Sequence, residues 1–162
     1  MSLGKEIKQK INSTRHEALL DIVHTNNYLS KTSRLFFDKF GITESQYNIM
    51  IIIKLENRKL TQVEIGERMV SSRSNITSLI DKLQKKNYVR RLPVEGDRRV
   101  FQVELTDKGI KKLAEVEPVY VKTVEKIMGC FSLEESKQLS SLLVKMRKSL
   151  KEKELNGNDS GK

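Results

Sequence analysis

The stretch ITSLIDKLQKKNYVRRLPVEGDRRVFQVEL, Ile76–Leu105, changes its periodicity once, and that change decides the fold. In its first half, Ile76, Leu79, Ile80 and Leu83 recur at helical spacing and mark one apolar face. In its second half, YVRRLP and VFQVELT read as β-formers, with VEGD between them as a turn. Phe101, Val103 and Leu105 share one face of the second strand and are expected to pack inward. Upstream, two helix starts have the same design. In ITESQY, Thr43 caps, Gln46 reaches back, and Ile42 staples onto Tyr47; in LTQVEI, Thr61, Glu64, Leu60 and Ile65 repeat the device. The second of these helices is short, Gln62 to about Met69, and the next begins near Ser72 and runs to about Asn87. Helices followed by a β-hairpin predict a mainly α chain with a small β-hairpin wing, a winged helix-turn-helix. That is a statement about fold, and by itself it does not establish DNA binding.

The surroundings of this module are helical too. Apolar clusters at Ile7 and Ile11, at Leu19, Leu20, Ile22 and Val23, and at Leu35, Phe36 and Phe37 predict one or two N-terminal helices. The region after the wing is helical again, with Pro118 expected to kink or break it. Residues 1–40 therefore form an N-terminal helical region, 41–106 the winged helix-turn-helix and 107–155 a C-terminal helical region. Residues 156–162 form a polar tail expected to be disordered. Leu139, Leu143, Met146 and Leu150 step by four, three and four, the spacing of a helix–helix seam. That seam closes either within the chain or against a second copy.

Charge narrows the partner. The 162-residue chain carries a net charge of +10, which favours nucleic acid, an anionic membrane surface or an acidic protein. From Arg58 to Val100 there are eleven Lys or Arg and five Asp or Glu, so +6 of that charge lies on about a quarter of the chain. With Ile76, Leu79, Ile80 and Leu83 turned inward, the third helix presents Ser72, Arg73, Ser74, Asn75, Thr77, Ser78, Asp81, Lys82, Lys85 and Lys86 outward. Its first half offers short polar groups and an arginine suited to base edges. Its second half offers lysines suited to phosphates, with Lys82 the foremost. At the wing, Arg98 and Arg99 follow a tight Glu95-Gly96-Asp97 turn: either a solvated charged tip or one that reaches an anionic partner.

Residues from about Leu60 to Leu113 resemble the MarR (multiple antibiotic resistance regulator) family of winged-helix transcription factors. The matching stretches are LTQVEIGERM, SNITSLIDKLQKKNYVRR and the wing with its sequel, GDRRVFQVELTDKG, the most specific of the three. A softer match continues in SLEESKQLSSLLVKM. The resemblance implies a triangular homodimer whose N- and C-terminal helices interlock. It also implies that the third helix enters the major groove and a wing arginine the adjacent minor groove. Carried over, Arg99 is that arginine and Asp97 the carboxylate that orients it or its neighbours; strand parity alone leaves Arg98 and Arg99 equivalent. The resemblance further implies a repressor released by a small phenolic or anionic effector, with double-stranded DNA as partner. Arg15, His16 and Tyr28 are conceivable pocket residues.

Other chemistry has little footing. There is no Gly-rich phosphate loop, metal-ligand spacing or paired nucleophile and base, so no enzyme and no cofactor is expected. His16 and His24 are eight apart and could share a helical face, a weak metal signal. No apolar run reaches the roughly 18–20 residues of a membrane span, and MSLGKEIKQK lacks an apolar core for a secretory signal. With the single cysteine, Cys130, this places the protein in the cytoplasm. Cys130 is expected to be a small packing residue at a helix junction; oxidation sensing through it is one alternative function. A winged helix used as a protein-interaction module is the other.

Overall fold

The computed structural model describes residues 4, 10–11, 13–69, 76–94 and 97–157, and of residues 97–99 and 153–157 the backbone alone. The described elements are α1 (Thr14–Asp38), α2 (Glu44–Glu56), β1 (Leu60–Thr61), α3 (Gln62–Arg68), α4 (Ile76–Lys85), β2 (Val89–Val94), β3 (Asp97–Leu105), α5 (Asp107–Met128) and α6 (Leu133–Gly157). The chain is mainly helical with a small antiparallel sheet, as the change of periodicity predicts. It divides into two compact units, Met1–Val116 and Glu117–Lys162.

Both expected capping boxes are present. The Thr43 hydroxyl accepts from the Gln46 N–H at 3.2 Å, and Gln46 Oε1 accepts from the Thr43 N–H at 3.1 Å. Thr61 and Glu64 do the same at 3.2 and 2.8 Å, so each pair satisfies two of the N–H groups that a helix start leaves open. The stops are equally specific. After α1, Gly41 adopts φ +66°, its N–H bonds Asp38 C=O, and Ile42 N–H reaches Phe37 C=O. After α4, Asn87 adopts φ +60° with Asn87 N–H to Gln84 C=O and Tyr88 N–H to Leu83 C=O. These are two Schellman endings, one on Gly and one on Asn, the two residues that tolerate the left-handed region best.

In the first unit, the core gathers Phe37, Ile42, Tyr47, Ile49, Met50, Ile53, Leu60, Ile65, Ile80, Leu83, Val89, Val103, Leu113 and Val116. The sheet order is β1-β3-β2, with Leu60 opposite Val103 and Arg91 opposite that same Val103 from the other side. Leu60 and Thr61 thus serve as strand, staple and cap together, which helix-start logic alone misses. Val94 pairs with Asp97 across an irregular step after Pro93, so these two ends of the expected VEGD turn belong to strands. The expectation that Phe101 packs inward is wrong. Its strand face is right, but Phe101 is 41% exposed because β1 covers β3 only at Gln102 and Val103, and the hairpin runs on beyond that cover.

The segment LTDKG ties this hairpin to α5. The Thr106 hydroxyl donates to Asn87 C=O at 2.6 Å and accepts from the Gly109 N–H at 3.1 Å, while Thr106 N–H donates to Tyr88 C=O. A Cβ on Gly109 would lie 2.1 Å from the Tyr88 carbonyl oxygen, so only glycine lets the helix start so close. α5 continues through Pro118 without the expected break; proline forfeits one N–H bond, and the helix carries on either side of it.

The second unit holds the end of α5, a turn and α6. Ser132 and Glu135 form a third capping box beyond the two expected, with Glu135 N–H to Ser132 Oγ at 3.2 Å and Ser132 N–H to Glu135 at 2.7 Å. That bond and the Ser132 hydroxyl hold the Glu135 carboxyl below its ordinary pKa. None of the unit's side chains among the described residues is buried. α6 extends to Gly157, two residues into the tail expected to be disordered, and 158–162 lie outside the described residues.

Substitutions at two positions test the α4–α5 junction. Gly109→Ala should cost about 1–3 kcal/mol through overpacking. Asn87→Ala should cost about 1 kcal/mol for its left-handed conformation, and Asn87→Gly close to nothing. Urea unfolding of the three variants measures both, and equal costs for Asn87→Ala and Asn87→Gly would dismiss the conformational account.

Candidate nucleic-acid interface

The candidate surface is built on α4 and the hairpin beside it. Ile80 and Leu83 are fully buried, Ile76 and Leu79 half-buried. That fixes the roll of α4 and leaves Thr77, Lys82, Lys85 and Lys86 exposed and Ser78 half-buried. α4 is seated closely on α3: a Cβ on Gly66 would lie 2.6 Å from Ile76 Cδ1. The Thr77 hydroxyl, read from sequence as a base contact, donates to Gln62 Oε1 at 3.0 Å and so joins the two helices of the motif. Its methyl and oxygen lone pairs stay available.

Ser72, Arg73, Ser74 and Asn75 lie outside the described residues. The backbone of Asp97, Arg98 and Arg99 forms the beginning of β3, so Asp97, expected in the turn, stands on the strand with the two arginines that follow it. Leu139, Leu143, Met146 and Leu150 all lie on α6; Leu139 and Leu150 are exposed and the other two half-buried. Of the conceivable pocket residues, Arg15, His16 and Tyr28 are all exposed on α1, and Tyr28 meets His24 edge-on at 5.0 Å. Cys130 is at a helix junction as expected, but it is exposed and does not pack. It lies in the turn between α5 and α6, with its thiol 3.6 Å from Ile127 C=O.

Pairing sorts the basic residues that the sequence could only count. Arg58 bonds Glu64 at 2.6 Å, and Arg68 bonds Glu56 at 2.8 Å. Arg90 pairs with Glu104, which also lies 3.9 Å from Lys59. Arg91 pairs with Asp81 at 2.5 Å. Lys86 donates to the Gly41 carbonyl. Among the described residues, Lys82 and Lys85 make no ion pair, so they are the exposed cations of α4 that are free to meet a phosphate. The +6 of the sequence segment overstates the local charge, because Glu56 and Glu104, which lie outside the segment, pair with its Arg68, Arg90 and Lys59.

The Arg58 partner has a consequence for stability. Arg58, then the Thr61 N–H and hydroxyl, draw the Glu64 carboxyl from 4.5 down to about 2. The stabilisation from its charge is therefore complete above about pH 4.5 and lost as pH falls toward 2. Glu64→Gln keeps the cap but not the charge, so its stability should change less with pH across that window. Urea midpoints at a series of pH values check this; parallel curves for the two proteins would assign the acid sensitivity elsewhere.

With this geometry in place, the comparisons decide the family. The family model "MarR family" matches residues 42–101, the span from the α2 staple through most of the hairpin. The chain carries a MarR-family module over these residues. It is a DNA-binding transcriptional regulator and not an enzyme. It is 28% identical to the HTH-type transcriptional regulator PecS of Dickeya dadantii over 116 residues, 70% of each chain. It is 27% identical to the transcriptional repressor MprA of Escherichia coli K12 over 136 residues, 83% of this chain and 77% of that one. The fold also matches that of Staphylococcus aureus MepR in its DNA complex, with TM-score 0.70 and 22% identity, covering 82% of this chain and 96% of MepR. No described helix is long and apolar enough to cross a membrane.

Proposed function

We propose that this regulator acts as a homodimer on a pseudo-palindromic operator, as a repressor released by a small phenolic or anionic effector. The observation that carries the DNA-reading part is the outward face of α4, where Lys82 and Lys85 are exposed and free of ion pairs beside the β2–β3 hairpin. α4 enters the major groove. Ser72, Arg73, Ser74, Asn75, Thr77 and Ser78 approach base edges, and Lys82 holds the backbone. With its hydroxyl proton committed to Gln62, Thr77 offers a methyl group suited to thymine. The hairpin brings Arg99 into the adjacent minor groove, where a narrow A·T-rich segment attracts cations, with Asp97 to orient it and Arg98 beside it.

Dimerisation is supported by the second unit. Its exposed apolar side chains include Val119, Val124, Ile127, Leu139 and Leu142, a surface that monomers rarely leave in water. Leu139, Leu143, Met146 and Leu150 contribute the seam. The repressor role agrees with the name of the similar Escherichia coli protein. Residues 1–40 and 107–155 then carry the dimer, and 41–106 the DNA contacts.

Selection of bound duplexes from fragmented genomic DNA by the purified protein tests this first. A motif with two half-sites about 34–36 Å apart is expected; retention without any motif would leave only nonspecific affinity. On the selected duplex, Arg99→Ala should weaken binding by about 1–3 kcal/mol. Lys82→Ala should weaken all sequences alike and flatten the salt dependence by about one unit. A change in sequence preference alone for Lys82→Ala would reassign it to base contact.

A further inference from the structure

Asp81 is the acidic residue among the described residues of α4, and it stands beside Lys82 on a helix whose exposed face is otherwise basic and polar. A bare carboxylate there would repel the phosphates that α4 approaches. It is not bare. Arg91 Nη1 bonds Asp81 Oδ1 at 2.5 Å and lies 3.4 Å from Gln84 Oε1, while Arg91 Nη2 lies 3.4 Å from the Thr77 carbonyl. One guanidinium thus runs along the stripe 77, 81, 84 of α4. Its own backbone is fixed in β2, opposite the buried Val103 of β3.

Two features suggest more than fold maintenance. Arg91 is 22% exposed, so it is a cation turned away from water and held against the helix, while Asp81 is half open. Its Nε is buried, so the two terminal nitrogens of the guanidinium are the ones that hold it to α4.

We infer that Asp81 is a specificity-determining residue of the DNA-binding surface: it sequesters Arg91 against α4, which fixes the hairpin relative to the helix and withholds that guanidinium from phosphates of any sequence. The inference rests on the reading of α4 as the helix that enters the groove. Loss of Asp81 has two separable effects. It removes an anion and frees a cation next to Lys82, so attraction to any duplex grows. It also loosens the hairpin, so the contacts of helix and hairpin no longer fall into register on one sequence.

The test compares the duplex that wild-type protein selects with a scrambled duplex of the same composition, from about 50 to 200 mM salt. Asp81→Ala is expected to bind the scrambled duplex several-fold more tightly, with a salt slope steeper by about one unit. Its preference for the selected duplex should fall about tenfold. Adding Arg91→Ala to Asp81→Ala should return scrambled-duplex affinity to the wild-type level while the preference stays low. Thermal unfolding of each variant confirms that it is folded, and Asp81→Asn, with the shape kept and the charge lost, gives the same directions if alanine does not fold. Wild-type slope and wild-type preference in a folded Asp81 variant would overturn the inference and leave the DNA reading intact. A wild-type protein that prefers neither duplex would overturn both.

Discussion

Ile80 and Leu83 are fully withdrawn from water, and the orientation of α4 depends on them. Most of a helix's stability in a protein comes from tertiary packing of one face, and α4 is held in this way. Burying two such side chains contributes roughly 3–6 kcal/mol. Each residue advances a helix by about 100°, so a roll of one position would expose these side chains and drive charged ones toward the core. Thr77, Lys82 and Lys85 are thus turned outward by what lies behind them. Their availability to a partner is a by-product of core packing, which is why it is robust.

The same economy governs the junctions. Thr106 alone joins the end of α4, the end of β3 and the start of α5, through bonds to Asn87, Tyr88 and Gly109. Leu60 and Thr61 close the other side, pairing with Val103 and Gln102 while Thr61 caps α3. Few residues here have a single task. A short module can therefore hold one helix and one hairpin in fixed relation with little surface spent on loops.

What was legible in the sequence follows from the range of each interaction. The boxes at Thr43/Gln46 and Thr61/Glu64 involve four residues each and could be read directly. So could the change of period at the end of α4. β1 could not: it is two residues long, has no periodicity, and gains its meaning from a partner more than forty positions away. Parity assigned Phe101 to the correct face but could not show where the core ends. Counting charge located the basic segment, yet whether Arg91 is free or bound to Asp81 depends on a contact between a helix and a strand. The box at Ser132/Glu135 is as local as the other two and is written plainly in SLEE.

Sequence-specific binding and dimerisation can be argued as one constraint. One α4 and one hairpin span only a few base pairs, while a genome offers about 10⁶–10⁹ competing sites. Each mismatch costs about 1–3 kcal/mol, so a single module gains too little discrimination from so few positions. A second copy doubles the number of positions read without any new sequence. The second unit offers the means: Val119, Val124, Ile127, Leu139 and Leu142 are exposed, and none of its described side chains is buried. An isologous contact gives both protomers the same cover and relates their two α4 helices by a two-fold axis. The operator symmetry proposed here is then the image of an apolar surface that one chain alone leaves in water.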